Sequence, residues 1–284
     1  LQNLHDLSHN HEHLWEEFME ALHLPDCVTL KRDNGRAIVT LDRGSYGGGM
    51  NPLSAEAMEG LRDVARWLKG DIETHCVIVT GARVFSIGAD LKDPNMHTHG
   101  LNTLKQRQKL LLGPDMCSAW EALEQVTICA MERYAIGGAL ALAVSCDWRV
   151  ASEDCDIRLP EVPLGINMSW QANPRITALI GPARAKQLVI LGENIGAEIA
   201  VQWGLIDKVT AAGGALAAAE ELANKVLALP PVPVRMSKQA INAQAHALSH
   251  LSSFMDRDQY ALLTGSDENK DAVRAVFSKQ KKGS

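Results

Sequence analysis

The sequence lacks several features that would assign it to a specialised class. No stretch approaches the ~18 consecutive apolar residues of a membrane span, and the acidic, histidine-rich start lacks the basic-then-apolar order of a signal peptide. Basic residues are not in excess either: the formal net charge is −6, which argues against general binding to nucleic acid. We therefore expect a soluble, cytoplasmic protein with neither a nucleic-acid nor a membrane partner.

Paired cysteine motifs are also missing. The six cysteines are scattered without a CxxC pair, and several lie in apolar runs such as VTICA at 126–130, which indicates buried, reduced thiols. Four histidines stand close together at positions 5, 9, 11 and 13, but their spacing does not fit the geometry of a metal site. We interpret them as part of a solvated arm and expect no bound metal.

Three nucleotide or hydrolase motifs can be excluded as well. The glycine-rich segment at 44–49 follows a predicted strand, but the GxGxxG spacing of a dinucleotide-binding fold fails because position 52 is proline. No GK[ST] sequence follows for a phosphate-binding loop, and no GxSxG elbow occurs for a serine hydrolase. A nucleotide-binding dehydrogenase and a serine hydrolase are therefore disfavoured.

The hydrophobic pattern divides the chain into three parts. The pattern predicts a helical arm at residues 1–26 and a core at residues 27–210. The core begins with a hairpin that turns at Asp33-Asn34-Gly35, and it continues as repeated units of two strands and a helix. Beyond Glu161 helical patterns dominate, at residues 173–180, 183–191, 196–203, 214–229 and 234–250. We expect an α/β fold whose residues 211–284 form a helical carboxy-terminal region.

Two turns combine small residues with a preceding strand. The first is GARVFSIGADL at 81–91, where small residues allow a ligand to approach the main chain closely. The second is YAIGGALAL at 134–142, where paired glycines open an apolar helix whose free N–H groups favour negative charge. Either turn alone also fits ordinary packing, but two such turns about 50 residues apart, each after a strand of a repeating unit, are less often coincidental.

At these two turns the sequence resembles the crotonase superfamily of enoyl-CoA hydratases and isomerases. The resemblance covers about 256 residues, from Cys27 to Lys282, and lies in the order and spacing of several short motifs. These are FSIGAD at 85–90, AIGG at 135–138, CD at 146–147, LPEVPLG at 159–165, GPARA at 181–185, AVQWGLI at 200–206 and the closing helix into Phe277.

The resemblance implies a crotonase-like spiral of β-β-α units that binds an acyl-CoA and assembles as a homotrimer or hexamer. It places an oxyanion hole at the backbone N–H groups of Ile87 and Gly138, and a proton-carrying carboxylate at Glu161. Each such donor stabilises charge on a thioester oxygen by roughly 3 kcal/mol in the transition state. No cofactor is expected beyond the coenzyme A of the substrate.

The resemblance marks the coenzyme A end and the acyl end of the site less strongly. The family positions that contact the nucleotide are Gly49, Met50, Ala89 and Asp90. Lys282, with its neighbouring lysines, fits a phosphate contact and a solvated basic tail equally well. The acyl pocket is expected at Asn167, Met168, Ser169 and Trp170, where this chain has bulky and polar residues in place of the family's glycine-rich stretch. Core filling by Met168 and Trp170 is the alternative.

The number of carboxylates decides between reactions. Family hydratases typically use two glutamates, but this chain has Ala141 at the first position and retains only Glu161. One carboxylate can move a proton between two carbons of a conjugated dienolate, whereas hydration also needs a base for water. We therefore favour isomerisation of an enoyl-CoA. A hydratase with a different water-activating group and a non-catalytic acyl-CoA-binding or scaffold protein remain as alternatives.

Overall fold

The computed structural model describes residues 22–282. Most of the predicted arm at 1–26 therefore lies outside the described residues. Within them, a long apolar helix able to cross a bilayer is not found. All six cysteines carry free thiols, and five of them are buried, as the apolar runs around them predict.

The main sheet has six strands in the order β1-β2-β3-β4-β6-β8. β1 and β2 form the predicted hairpin, in which Asn34 and Gly35 take left-handed φ angles of 48° and 78°. All later neighbours in the sheet pair in parallel. The strands are β1 (Val28–Asp33), β2 (Arg36–Leu41), β3 (Cys76–Gly81), β4 (Val126–Met131), β6 (Trp148–Ser152) and β8 (Lys208–Thr210).

A second, two-stranded parallel sheet stands beside the main one. It pairs β5 (Tyr134–Ile136) with β7 (Asp156–Arg158). Because the strands are parallel, their carboxyl ends meet at one edge, and the residues that follow them leave the sheet side by side. This edge therefore brings the glycine pair after β5 next to the Leu-Pro-Glu segment after β7.

Eleven helices connect and cover the strands in the described part of the chain. They are α1 (Ala55–Gly70), α2 (Thr103–Lys109), α3 (Leu112–Glu121), α4 (Gly138–Ala143), α5 (Ala172–Leu191), α6 (Gly196–Trp203), α7 (Ala215–Leu227), α8 (Pro231–Ala245), α9 (Ser249–Ser253), α10 (Asp256–Leu263) and α11 (Asp267–Lys282). Helix α7 packs against β3, β4 and β6 on one face of the main sheet, so this helix joins the core.

Helix α1 illustrates how local sequence and core packing agree. The Ser54 side chain caps its first turn by accepting a hydrogen bond from Ala57 N, and its buried residues recur at helical spacing. Its buried face packs on α3, where the indole of Trp120 donates to the carbonyl of Leu61 at 2.9 Å.

The break that the sequence predicts between 180 and 183 is present, because Gly181 takes φ 75° and ψ 164° immediately before Pro182 and separates two helical segments of α5. Some other elements were not predicted. Strand β8 is only three residues long, which is too short for a period-2 pattern to show. Helix α10 was not predicted, because its eight residues, DRDQYALL, are too few to show a helical period.

Candidate active site

The two glycine-rich turns contact each other directly. The Ser86 N–H donates to Tyr134 O at 3.1 Å and the Ile136 N–H donates to Ser86 O at 3.3 Å, so the first turn is joined to β5. Gly88 has φ 85°, and a Cβ there would fall 2.4 Å from Ile136 O. Glycine is required at this position, both for its conformation and for its close approach to the main chain.

The predicted oxyanion donors differ in their availability. Gly138 is the first residue of α4, so its N–H has no intrahelical partner, and it finds no acceptor elsewhere in residues 22–282. The Ile87 N–H, in contrast, donates to Met50 O at 3.2 Å. A thioester oxygen can therefore use Gly138 directly, but it can use Ile87 only if that long hydrogen bond is exchanged or shared.

Glu161 lies beside this pair of turns. Its main chain is fixed by a 3₁₀ turn at Val162–Leu164, in which the Leu164 N–H donates to Glu161 O at 3.0 Å. A Cβ added at Gly137 would fall 2.7 Å from Glu161 Oε1, so the carboxyl group lies against the main chain of the second turn. Its other oxygen, Oε2, is buried and has no hydrogen-bond partner among the described residues.

The electrostatics of Glu161 follow from this burial. Removing the carboxylate from water disfavours its charged form, and burial therefore raises the pKa of Glu161 to about 7, although a hydrogen bond from its own backbone opposes the shift. A carboxyl group of this kind can lose and regain a proton near neutral pH. Ala141, at the other family position, is fully buried in α4 and cannot titrate.

These residues border a cavity of about 570 Å³. Its walls include Ile87, Gly137, Gly138 and Glu161, so the structure brings the predicted catalytic residues to one space. The volume is within the range of roughly 300–1,000 Å³ that is usual for small-molecule sites. A carbonyl oxygen held at Gly138 would place its neighbouring carbons near an unpaired carboxyl group, which is the arrangement needed for proton transfer next to a thioester.

The predicted acyl-pocket residues separate into two groups. Met168, Ser169 and Trp170 line the cavity. Asn167 is not among the residues that line the cavity. Its side-chain nitrogen lies 3.5 Å from both Asp256 O and Gln259 Oε1, on α10.

The residues expected at the coenzyme A end are also divided. Ala89 and Asp90 line the cavity, whereas Gly49 and Met50 do not. The Asp90 carboxylate is already occupied: it pairs with Arg43 at 2.7 Å and accepts from Lys92 N at 3.1 Å. Burial acts to raise the pKa of Asp90, but the hydrogen bonds that its carboxylate accepts from Arg43 and Lys92 N outweigh burial and hold this pKa below its usual value.

Two contributions to the site were missed or cannot be placed. Helix α10 and the loop after it supply Arg257, Tyr260 and Thr264 to the cavity wall. Burial raises the pKa of the Tyr260 phenol, and the nearby Glu161 carboxylate adds to this effect. No pattern of residue spacing could link α10 to Glu161, because about a hundred residues separate them. The side chain of Lys282 lies outside the described part of the chain.

Comparisons with known proteins identify the family. A family model described as enoyl-CoA hydratase/isomerase matches residues 31–282. A short-chain-enoyl-CoA hydratase of Clostridium acetobutylicum is 32% identical over 256 residues, covering 89% of this chain and 95% of that protein. A crotonyl-CoA hydratase of Syntrophomonas wolfei subsp. wolfei is 27% identical, covering 89% and 96%.

Solved structures show the same fold. The crystal structure of an enoyl-CoA hydratase from Mycobacterium avium subsp. paratuberculosis superimposes with a TM-score of 0.78, covering 90% of this chain and 97% of that one at 23% identity. An enoyl-CoA hydratase from Bacillus anthracis gives a TM-score of 0.71 at 27% identity, covering 89% and 97%. The expected spiral of β-β-α units is thereby confirmed.

Proposed function

The chain belongs to the enoyl-CoA hydratase/isomerase family, within the crotonase superfamily, and we propose that it is an enzyme that isomerises an enoyl-CoA with Glu161 as its single proton carrier. The observation that carries this proposal is the Glu161 carboxyl group beside Gly137, whose Oε2 is buried without a hydrogen-bond partner among the described residues. The position where family hydratases carry their other glutamate is Ala141 in this chain, and its buried methyl group cannot activate water.

The proposed reaction needs only one group that is both base and acid. Ionised Glu161 removes a proton from the α-carbon of a 3-enoyl-CoA, and the electrons move into a dienolate whose charge rests on the thioester oxygen. The protonated carboxyl then returns the proton to the γ-carbon, which leaves the double bond between the α- and β-carbons. A carboxyl group whose pKa is about 7 is suited to both steps at neutral pH.

The dienolate oxygen would be stabilised mainly by the Gly138 N–H. This donor points from a helix start and is free of other partners in the described residues, so it requires no rearrangement. The Ile87 N–H would join it by giving up or sharing its bond to Met50 O. One such donor lowers the activation barrier by roughly 3 kcal/mol.

Hydration of a 2-enoyl-CoA is the second candidate, because the curated relatives carry hydratase names. The hydroxyl groups of Ser169 and Tyr260 line the same cavity and could orient a water molecule. Neither of these groups is a carboxylate base, so hydration would have to rely on Glu161 alone for proton removal from water.

The discriminating experiment supplies 3-enoyl-CoA and 2-enoyl-CoA in deuterated water. We expect conversion of the 3-enoyl form, in which the γ-carbon receives mainly the proton that Glu161 removed and little solvent deuterium, and a loss of about 10² or more in kcat for Glu161→Gln. Glu73→Gln, on an exposed carboxylate, is the control and should keep full activity. Rapid formation of the 3-hydroxyacyl product without isomerisation would establish hydration instead.

We also propose assembly as a homotrimer or a hexamer through the carboxy-terminal helices. Large apolar side chains on α8 to α10 are exposed, among them Val232 at 63%, Met236 at 65%, Phe254 at 62% and Leu251 at 69%. A large apolar surface formed by such side chains usually marks a protein interface. Light scattering should give a mass of three or six times the 30.9 kDa of one chain, and a monomeric mass would refute the proposal.

A further inference from the structure

Trp170 occupies the space between two elements of the site. A Cβ added at Gly113, in α3, would fall 2.1 Å from Trp170 Cε2, and one added at Gly138 would fall 2.2 Å from Trp170 Cζ3. The indole is therefore in van der Waals contact with both glycines. It lines the cavity next to the free N–H of Gly138, where the thioester oxygen would bind.

The backbone holds the indole there despite an unfavourable conformation. Trp170 and Gln171 have left-handed φ angles of 60° and 57°, which cost a non-glycine residue of this size free energy at each position. Both residues are fixed by the buried guanidinium of Arg175, which donates to Trp170 O at 3.0 Å and to Gln171 O at 3.2 Å. The Trp170 ring is thus placed by the main chain and is not a mobile surface group.

Arg175 is itself held in place. Its guanidinium forms two hydrogen bonds to Glu121 at 2.7 and 2.9 Å, so the charge is paired within the core. The Gln171 side chain adds a further contact by accepting from Ser118 Oγ at 3.0 Å. Helix α3, which carries Ser118 and Glu121, therefore fixes the turn that carries the indole.

We infer that Trp170 closes the acyl end of the cavity and restricts the site to short acyl groups, with Arg175 as the residue that positions it. This inference rests on the proposed function for its assignment of an acyl end. A thioester carbonyl at Gly138 has the indole edge within contact distance of the same glycine, so the carbons beyond the reacting ones meet an aromatic wall. Longer chains would have to displace a ring that the Arg175 network holds.

The test measures binding of saturated acyl-CoA esters, which cannot react. We expect wild-type affinity for butanoyl-, hexanoyl- and octanoyl-CoA to stay flat or fall with length. In Trp170→Ala each added methylene should instead tighten binding, by up to about fourfold, the value for burial of one methylene. Trp203→Ala, in α6 and away from the cavity walls, is the matched control and should reproduce the wild-type series.

A second pair of variants separates this effect from misfolding. Gly113→Ala places a methyl group against the indole and should disturb binding, whereas the same change combined with Trp170→Ala should be tolerated and should keep the gain for long chains. Circular dichroism verifies the fold of each variant. If Trp170→Ala is unfolded, Trp170→Leu replaces it in the same series.

The outcomes for the two proposals can be told apart. An identical length series in wild type and in the folded Trp170 variants would overturn the inference, as would a wild-type affinity that rises about fourfold per methylene. Failure of the isomerase assay with a length series that still depends on Trp170 would refute only the proposed reaction. Absence of binding by every acyl-CoA ester would refute both.

Discussion

Replacement of Glu161 by glutamine should change how the stability of the protein depends on pH. The carboxyl group is buried beside Gly137, and its burial raises its pKa from the ordinary 4.5 to about 7. Between these two values the folded protein keeps the proton while the unfolded chain has lost it. The contribution of Glu161 to the free energy of unfolding must therefore fall as pH rises through this interval, and this contribution should be constant above it.

The magnitude follows from the two pKa values. At about 1.4 kcal/mol per pH unit, the interval corresponds to a loss of about 3 kcal/mol in the free energy of unfolding between pH 4.5 and pH 8. Glutamine has a similar shape and no charge, so Glu161→Gln should escape this loss. The variant should match the wild type near pH 4.5 and exceed it by about 3 kcal/mol at pH 8.

The assay is urea unfolding at fixed protein concentration over this pH range, because assembly would otherwise change the apparent stability. Glu73→Gln, on an exposed carboxylate, is the control for a change of one charge. Parallel stability curves for the wild type and Glu161→Gln would show that the carboxyl group is not desolvated. The proton-transfer role proposed for it would then lose its physical basis.

Three further substitutions test other parts of the site. Gly138→Ala should lower kcat/KM by about 10² or more, in steady-state assays, because the new methyl group must displace the Trp170 ring beside the oxyanion donor. Arg175→Met should destabilise the protein by about 3 kcal/mol in urea unfolding, since it leaves Glu121 without its partner. Asn51→Ala should cost about 2 kcal/mol in thermal unfolding, as two buried carbonyl groups lose their donor; a change below about 0.5 kcal/mol would contradict the hydrogen-bond geometry.

Much of the fold could be predicted from local patterns. The hairpin at Asn34-Gly35, the buried strand β3 and the helix that begins after Ser54 each follow from residues within a short window. The position of the break in α5 follows from Gly181 and Pro182, but its direction does not. Whether the second segment continues along the first depends on its packing against distant elements.

The site was less accessible from sequence than the fold. Glu161 and Gly138 could be named through their motifs, and the structure brings both to one cavity. The side-chain direction of Asn167 could not be predicted, because it depends on α10, which begins almost ninety residues later. The bond from the Ile87 N–H to Met50 O was equally hidden, since it joins two loops whose separation is set by the tertiary fold.

The Gly138 turn, Glu161 and the α10 residue Tyr260 meet at one cavity within one chain. Two defective chains, one altered at Glu161 and the other at Gly138, should therefore not complement each other when they are co-expressed. In mixed assemblies, activity should decline in simple proportion to the fraction of altered chains. A heterozygous or mixed population would then lose catalytic capacity gradually, without dominance of the inactive form.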